Sequence, residues 1–193
     1  MNTIIYMVRH AESPFSFGEE RSRGLSDAGE EAARQVASLL REAEIHYIAS
    51  SPYKRAVRTV QYLAEDKGLS INEYEELIER PIKGLNYKSD WETLEKAIKQ
   101  SFIDLDYALE GGESTRKAQE RAIPLIRQFL RDFKGKTIAI GTHGNIMTII
   151  MNYFDSSYGH EFWSSTSKPD IYKLVFEEAQ LILVERVWNP ELE

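Results

Sequence analysis

Two stretches of this chain, "IIYMVRHAES" at residues 4–13 and "KTIAIGTHGNIMTIIMNYF" at 136–154, run through branched and bulky apolar residues and then stop on a histidine. A short apolar run without polar alternation reads as a strand buried on both faces, the habit of parallel sheets covered by helices. Residues 3–8 form the first such strand, tipped by Arg9-His10. The second strand is tipped by Thr142-His143-Gly144-Asn145 and leads into an apolar helix. Ligands in open parallel sheets bind at the carboxyl ends of strands, where loops diverge, so both tips are candidate chemistry.

The intervening sequence alternates in the same way. In "LSDAGEEAARQVASLLREAE", Ser26 reads as an N-cap, acids fill the first turn, and Ala32, Val36, Leu39 and Leu40 form one helical stripe. "IHYIAS" is a short strand, and "SPYKRAVRTVQYLAE" a helix with Ser51 as cap and Pro52 at its first position. A weaker strand follows at 71–78 and a polar helix at 91–103. In "GGESTRKAQERAIPLIRQFLRDF", Ser114 caps a long amphipathic helix that Pro124 is placed to kink. The closing "IYKLVFEEAQLILVERVW" reads as two strands joined by an acidic turn. The predicted fold is an α/β, three-layer α/β/α sandwich with a mostly parallel sheet, right-handed crossovers and an antiparallel edge. No repeat or Pro/Gly/Ser linker divides the 193 residues, so we expect one domain over 1–193 with a substrate-loop or helical insert around 80–112.

Composition narrows the function classes. A net charge of -7 argues against nucleic-acid and anionic-membrane surfaces, so any basic site must be local. With no Cys, disulfide frameworks, thiolate metal sites and cysteine nucleophiles are excluded. No apolar run approaches about 18 residues, and charge interrupts the N-terminus too early for a signal peptide, so the cytoplasm is the expected location.

If the two buried strands are neighbours, His10 and His143 face one crevice, and Arg55 can bend over it from the helix after another strand. Two Arg beside two His suit a tetrahedral dianion, which a guanidinium fork and the amides opening the helix after His143 would bind. They suit a metal poorly, because permanent cations repel one. A neutral imidazole is a competent nucleophile toward phosphorus when one ring nitrogen is held as a donor, and nearby Arg charges keep it neutral. A leaving alkoxide then needs a proton from an acid group.

These residues carry a family resemblance. "VRHAES" resembles the Arg-His-Gly-Glu signature of the histidine phosphatase superfamily, also called phosphoglycerate mutase-like, with Ala11 in the Gly position. "LSDAG", "SSPYKRAVRT", "GGES" and "GTHGN" are similar to further motifs of that family, in order. The resemblance implies that His10 becomes phosphohistidine, that Arg9, Arg55 and His143 hold the phosphoryl group, and that the Gly144 backbone adds a donor. Its general acid falls on Glu79 in "LIERPIKG", with Glu75 and Glu76 as alternatives. Ser16 stands where many relatives have a phosphate-binding Asn, and Phe15, Phe17, Arg21 and Arg23 of the same loop suit a substrate with either apolar or anionic parts. The family works without metal or organic cofactor. Because its mutases are longer than this chain, hydrolysis of a small phosphorylated substrate is favoured, with mutase-type phosphotransfer and non-catalytic phosphate binding as alternatives; a homodimer is left open.

Other polar residues have plainer readings. Arg55 has Lys54 and Arg58 as close competitors. Glu12 is expected to pair with a cation near the signature. His46 and His160 read as structural, and most of Tyr153, Tyr158, Phe162 and Trp163 as packing, with a substrate lid or an interface as the alternative.

Overall fold

The computed structural model describes residues 1–189. Strand β1 (Thr3–Arg9) lies near the middle of a six-stranded sheet of order β3-β2-β4-β1-β5-β6. It pairs parallel with β4 (Thr137–Thr142), which pairs parallel with β2 (Tyr47–Ser50), which pairs parallel with β3 (Ile71–Glu73). On its other side β1 pairs antiparallel with β5 (Asp170–Glu177), and the hairpin to β6 (Gln180–Arg186) completes that edge. The sheet is therefore mostly parallel with an antiparallel edge, and Glu178 takes a left-handed φ of 53° in the acidic turn.

Alternate residues of the central strands face opposite layers. Ile5, Met7, Ile138 and Ile140 pack with α4 (Thr115–Asp132) and α5 (Gly144–Phe154), whereas Val8, Ala139 and Ile48 pack with α1 (Asp27–Leu39) and α2 (Lys54–Lys67). Strands buried on both faces are what the uninterrupted apolar runs require. Each such Ile or Met contributes about 1.5–3 kcal/mol on burial.

Helix boundaries follow local chemistry. Ser26 and Ser114 accept from the N–H groups of Gly29 and Lys117 as side-chain N-caps. Asp90 caps α3 (Trp91–Ile103) by accepting from Thr93. Helix α2 begins at Lys54 and not at Pro52: Tyr53 occupies the cap position, and the Ser51 hydroxyl has another partner, described below. The expected strand at 71–78 shortens to Ile71–Glu73 followed by one 3-10 turn, Glu75–Leu77.

Segment 80–112 carries α3 and a small apolar cluster of Ile82, Ala97 and Ile98, against which Trp163 of α6 (His160–Ser165) packs. Buried Arg80 fastens it to the sheet layers by donating to Ser101 Oγ at 2.9 Å and Asn145 Oδ1 at 2.8 Å.

Candidate active site

The β1–β4 register pairs Arg9 with Thr142, so the next residue on each strand, His10 and His143, emerges beside its counterpart. The His10 N–H donates to Thr142 O at 2.9 Å, and the imidazole centroids stand 5.3 Å apart at 62°. These rings are 5% and 0% exposed, held at the carboxyl end of the sheet.

His10 Nδ1 lies 2.7 Å from Ala11 O. A carbonyl only accepts, so Nδ1 carries the proton and the Nε2 lone pair of the neutral ring is free. Thr59 Oγ1 accepts from Ala11 N–H at 2.9 Å and donates to Arg55 O at 2.7 Å, tying this turn to α2. His143 Nε2 lies 2.8 Å from Ser51 Oγ. Ser51 Oγ thus meets the second histidine and also accepts from Tyr53 N at 3.2 Å, just ahead of α2. Burial holds the His10 pKa well below the ordinary value; its bond to Ala11 opposes this, and Arg55, Arg9 and Lys168 reinforce it. Burial does the same to His143, with His10, Arg55, Arg23 and Arg9 adding repulsion. Both rings are neutral near pH 7.

Arg9 packs on the backbone of Gly144, where a Cβ would fall 2.7 Å from its Cζ. Its Nη1 donates to the hydroxyl and carbonyl of Thr166. Arg55, 2% exposed, donates to Glu20 O at 2.6 Å and Glu20 Oε2 at 3.0 Å and stacks over Tyr53. Arg23 donates to Ser13 O and Oγ. Burial lowers the pKa of Lys168, and Arg9 and Arg23 lower it further. Arg9 Nε, Arg23 Nε, Arg55 Nε and His143 Nδ1 are buried here without a hydrogen-bond partner among the described residues. Such donors are uncommon in folded proteins and call for a reason.

Glu79 completes the cluster. Its Oε1 accepts from Arg80 N and Ile146 N, each at 2.8 Å, and its Oε2 from Asn145 N at 3.0 Å. The amides opening α5, expected to face a ligand, are thus engaged by a carboxylate; a helix N-terminus favours either anion. Glu75 instead pairs with Arg21 on the surface, and Glu76 is exposed. A cleft of about 420 Å³ opens beside Glu79 and Tyr53. A larger hollow of about 690 Å³, lined by Met1, Lys134, Tyr153 and the β5–β6 turn, is at the opposite end of β1, away from these histidines.

Arg9, His10, Arg55, His143, Gly144 and Glu79 therefore converge. Ser16 does not join them by a hydrogen bond among the described residues; its carbonyl accepts from Glu19 N in a turn. Glu12 departs from expectation: its carboxylate accepts from Ser26 Oγ at 2.7 Å, so it anchors the start of α1 and pairs with no signature cation. Arg58 bonds Glu30 through two nitrogens, between α1 and α2. His46 accepts from Thr137 N, and His160 lies 3.8 Å from Glu95.

Sequence reasoning missed Thr59, Thr166, Lys168 and the Ser51–His143 contact. Thr59 closes the segment "SSPYKRAVRT", a signal that was available; "SSTSKPD" offers nothing local to single out Lys168. No helix of the described residues is long and apolar enough to cross a membrane. Among them no group of three or more His, Asp or Glu side chains is placed to hold a metal ion.

A family model described as histidine phosphatase superfamily (branch 1) matches residues 5–189. Phosphoglycerate mutase-like protein 4 of Arabidopsis thaliana is 31% identical over 156 residues, spanning 74% of this chain and 67% of that protein. A phosphoserine phosphatase mutant from Entamoeba histolytica in complex with phosphoserine superposes with a TM-score of 0.78 at 20% identity, covering 99% of this chain and 100% of the other. A mycobacterial glucosyl-3-phosphoglycerate phosphatase gives 0.75 at 19%, covering 98% and 99%. At these identities the two solved structures speak for the fold alone.

Proposed function

Since this chain belongs to the histidine phosphatase superfamily, branch 1, we propose that it hydrolyses a small phosphomonoester through a phosphohistidine formed on His10. The observation that carries this reading is the His10 tautomer: the Nδ1–H bond to Ala11 O leaves Nε2 as a held lone pair beside buried donors that have no partner among the described residues.

In the first step Nε2 attacks phosphorus, the bond to the ester oxygen breaks, and Glu79 as a carboxylic acid protonates the leaving alkoxide. In the second, water attacks phosphorus, Glu79 as carboxylate takes its proton, and inorganic phosphate leaves as Nε2 is regenerated. Arg9 and Arg55 balance charge on the phosphoryl oxygens in each transition state. When Ser51 donates to His143 Nε2, His143 Nδ1 carries a proton and becomes a further phosphoryl donor. No metal is required, because the guanidinium groups supply the positive charge.

Brief exposure to a labelled phosphomonoester followed by quenching should place acid-labile label on His10, unaffected by chelator. Lack of label, or its persistence in His10→Ala, overturns the mechanism. Glu79→Gln should slow the phosphorylation of His10 by esters of poor leaving groups by about 100-fold or more while sparing that by good ones, and should slow dephosphorylation alike for both; equal slowing of the phosphorylation step would remove Glu79 as the acid. The name of the Arabidopsis relative keeps mutase activity as the second reading. Inorganic phosphate in excess of isomer from 3-phosphoglycerate supports hydrolysis; isomer in excess supports the mutase.

A further inference from the structure

The cleft beside Glu79 has an unusual wall for a site that handles phosphate. Phe15 and Phe17 of the loop after β1 are 75% and 76% exposed, and across the cleft Leu85 and Trp91 are 76% and 63% exposed. Large apolar side chains gathered on one concavity mark a binding surface, and about 420 Å³ suits a small ligand. The cleft is continuous with the phosphoryl site, because Glu79, Glu20 and Tyr53 line it and also touch the α5 amides or Arg55.

The charged side chains of this wall already hold protein partners. Arg80 is buried and gives Nη2 to Ser101 and Asn145, while its Nε has no hydrogen-bond partner among the described residues. Lys83 donates to the carbonyls of Tyr87 and Gly84. Arg21 of the neighbouring loop is bidentate with Glu75. The remaining charged groups of the wall, Glu20 and Glu79, are acids. A second anionic group on the substrate would have to displace these partners and lose its hydration against the exposed apolar side chains.

The geometry points to the specificity of the reaction proposed above, on which this inference rests: the leaving alcohol is an uncharged apolar body, alkyl or aryl, seated between Phe15/Phe17 and Leu85/Trp91. Glu79 sits where that body joins the ester oxygen. The sequence left apolar and anionic substrates equally open for this loop, and the exposed apolar side chains gathered on both sides of the cleft favour the first.

Alkyl monophosphates from ethyl to octyl test it, because their alcohols differ little as leaving groups. The kcat/KM value should rise about two- to four-fold per methylene until the cleft is filled, matching burial of successive CH2 groups. Hexyl phosphate should exceed 3-phosphoglycerate at least about tenfold, because its alkyl body covers the apolar wall whereas a carboxylate must lose hydration there. In Phe15→Ala/Phe17→Ala, whose side chains are exposed and carry no core packing, the hexyl-to-ethyl ratio measured within the variant should fall toward one. Calorimetric Kd values for the non-hydrolysable alkyl phosphonates should follow the same series, a readout that needs no turnover. A flat phosphonate series, or preference for 3-phosphoglycerate, overturns the assignment even if His10 takes label. A rising phosphonate series without label on His10 upholds the cleft and overturns the phosphohistidine chemistry.

Discussion

At Gly144 a side chain is excluded by the Arg9 guanidinium, which lies 2.7 to 2.8 Å from where a Cβ would be. The obstacle is the end of a flexible side chain and not backbone, so Gly144→Ala should fold and displace Arg9. We expect kcat/KM to fall about 10- to 100-fold, the equivalent of one charge-assisted hydrogen bond, with a stability change under about 1 kcal/mol. Adding Arg9→Ala to that variant should cost little more, because both changes remove the same contact; full additivity in kinetics would contradict it. The same scale explains His10. Its tautomer depends on one carbonyl, Ala11 O, and its neutrality on burial first and neighbouring cations second.

Among the elements, β1, β4 and α2 build the site jointly. Parallel pairing sets Arg9 against Thr142, and α2 reaches back through Thr59 to hold Ala11 N–H. Thr59→Val keeps the shape and removes the acceptor, leaving a buried N–H unsatisfied at about 1–3 kcal/mol. Thermal unfolding should shift by that amount and phosphohistidine formation should slow, whereas Thr59→Ser restores most of both. A variant that loses stability while forming phosphohistidine at the wild-type rate would show Thr59 to be structural only. Element type and order were largely legible in sequence, since apolar periodicity and the Ser26 and Ser114 caps act locally. The starts of α2 and the end of β3 were not. Ser51 shares its hydroxyl between Tyr53 N and a histidine 92 positions along the chain, and that distant contact is not written in adjacent residues.

For the whole molecule, the two neutral histidines couple the site to stability. Their folded pKa values are lowered from about 6.5, so over the interval below that value the unfolded chain binds more protons than the folded one. Stability should therefore fall as pH drops from 7 through 6.5 and keep falling until the folded rings protonate. Urea midpoints between pH 8 and 5.5 will report this, with a shallower slope in His143→Asn; an unchanged slope would remove His143 as a source. Glu30, lowered chiefly by its bonds to Arg58, loses its contribution only as pH falls below about 4.5, a separate window. The sequence by itself determined the layered fold and the residue types at the strand ends, because burial on both faces and local capping are written in adjacent residues. Tertiary structure alone decided that Glu79 and not Glu75 or Glu76 meets the α5 amides, that Glu12 anchors a helix, and that Phe15 and Phe17 face Leu85 and Trp91 across one cleft. Those outcomes depend on which groups from distant segments share low-dielectric space, where each hydrogen bond taken by one partner is denied to another.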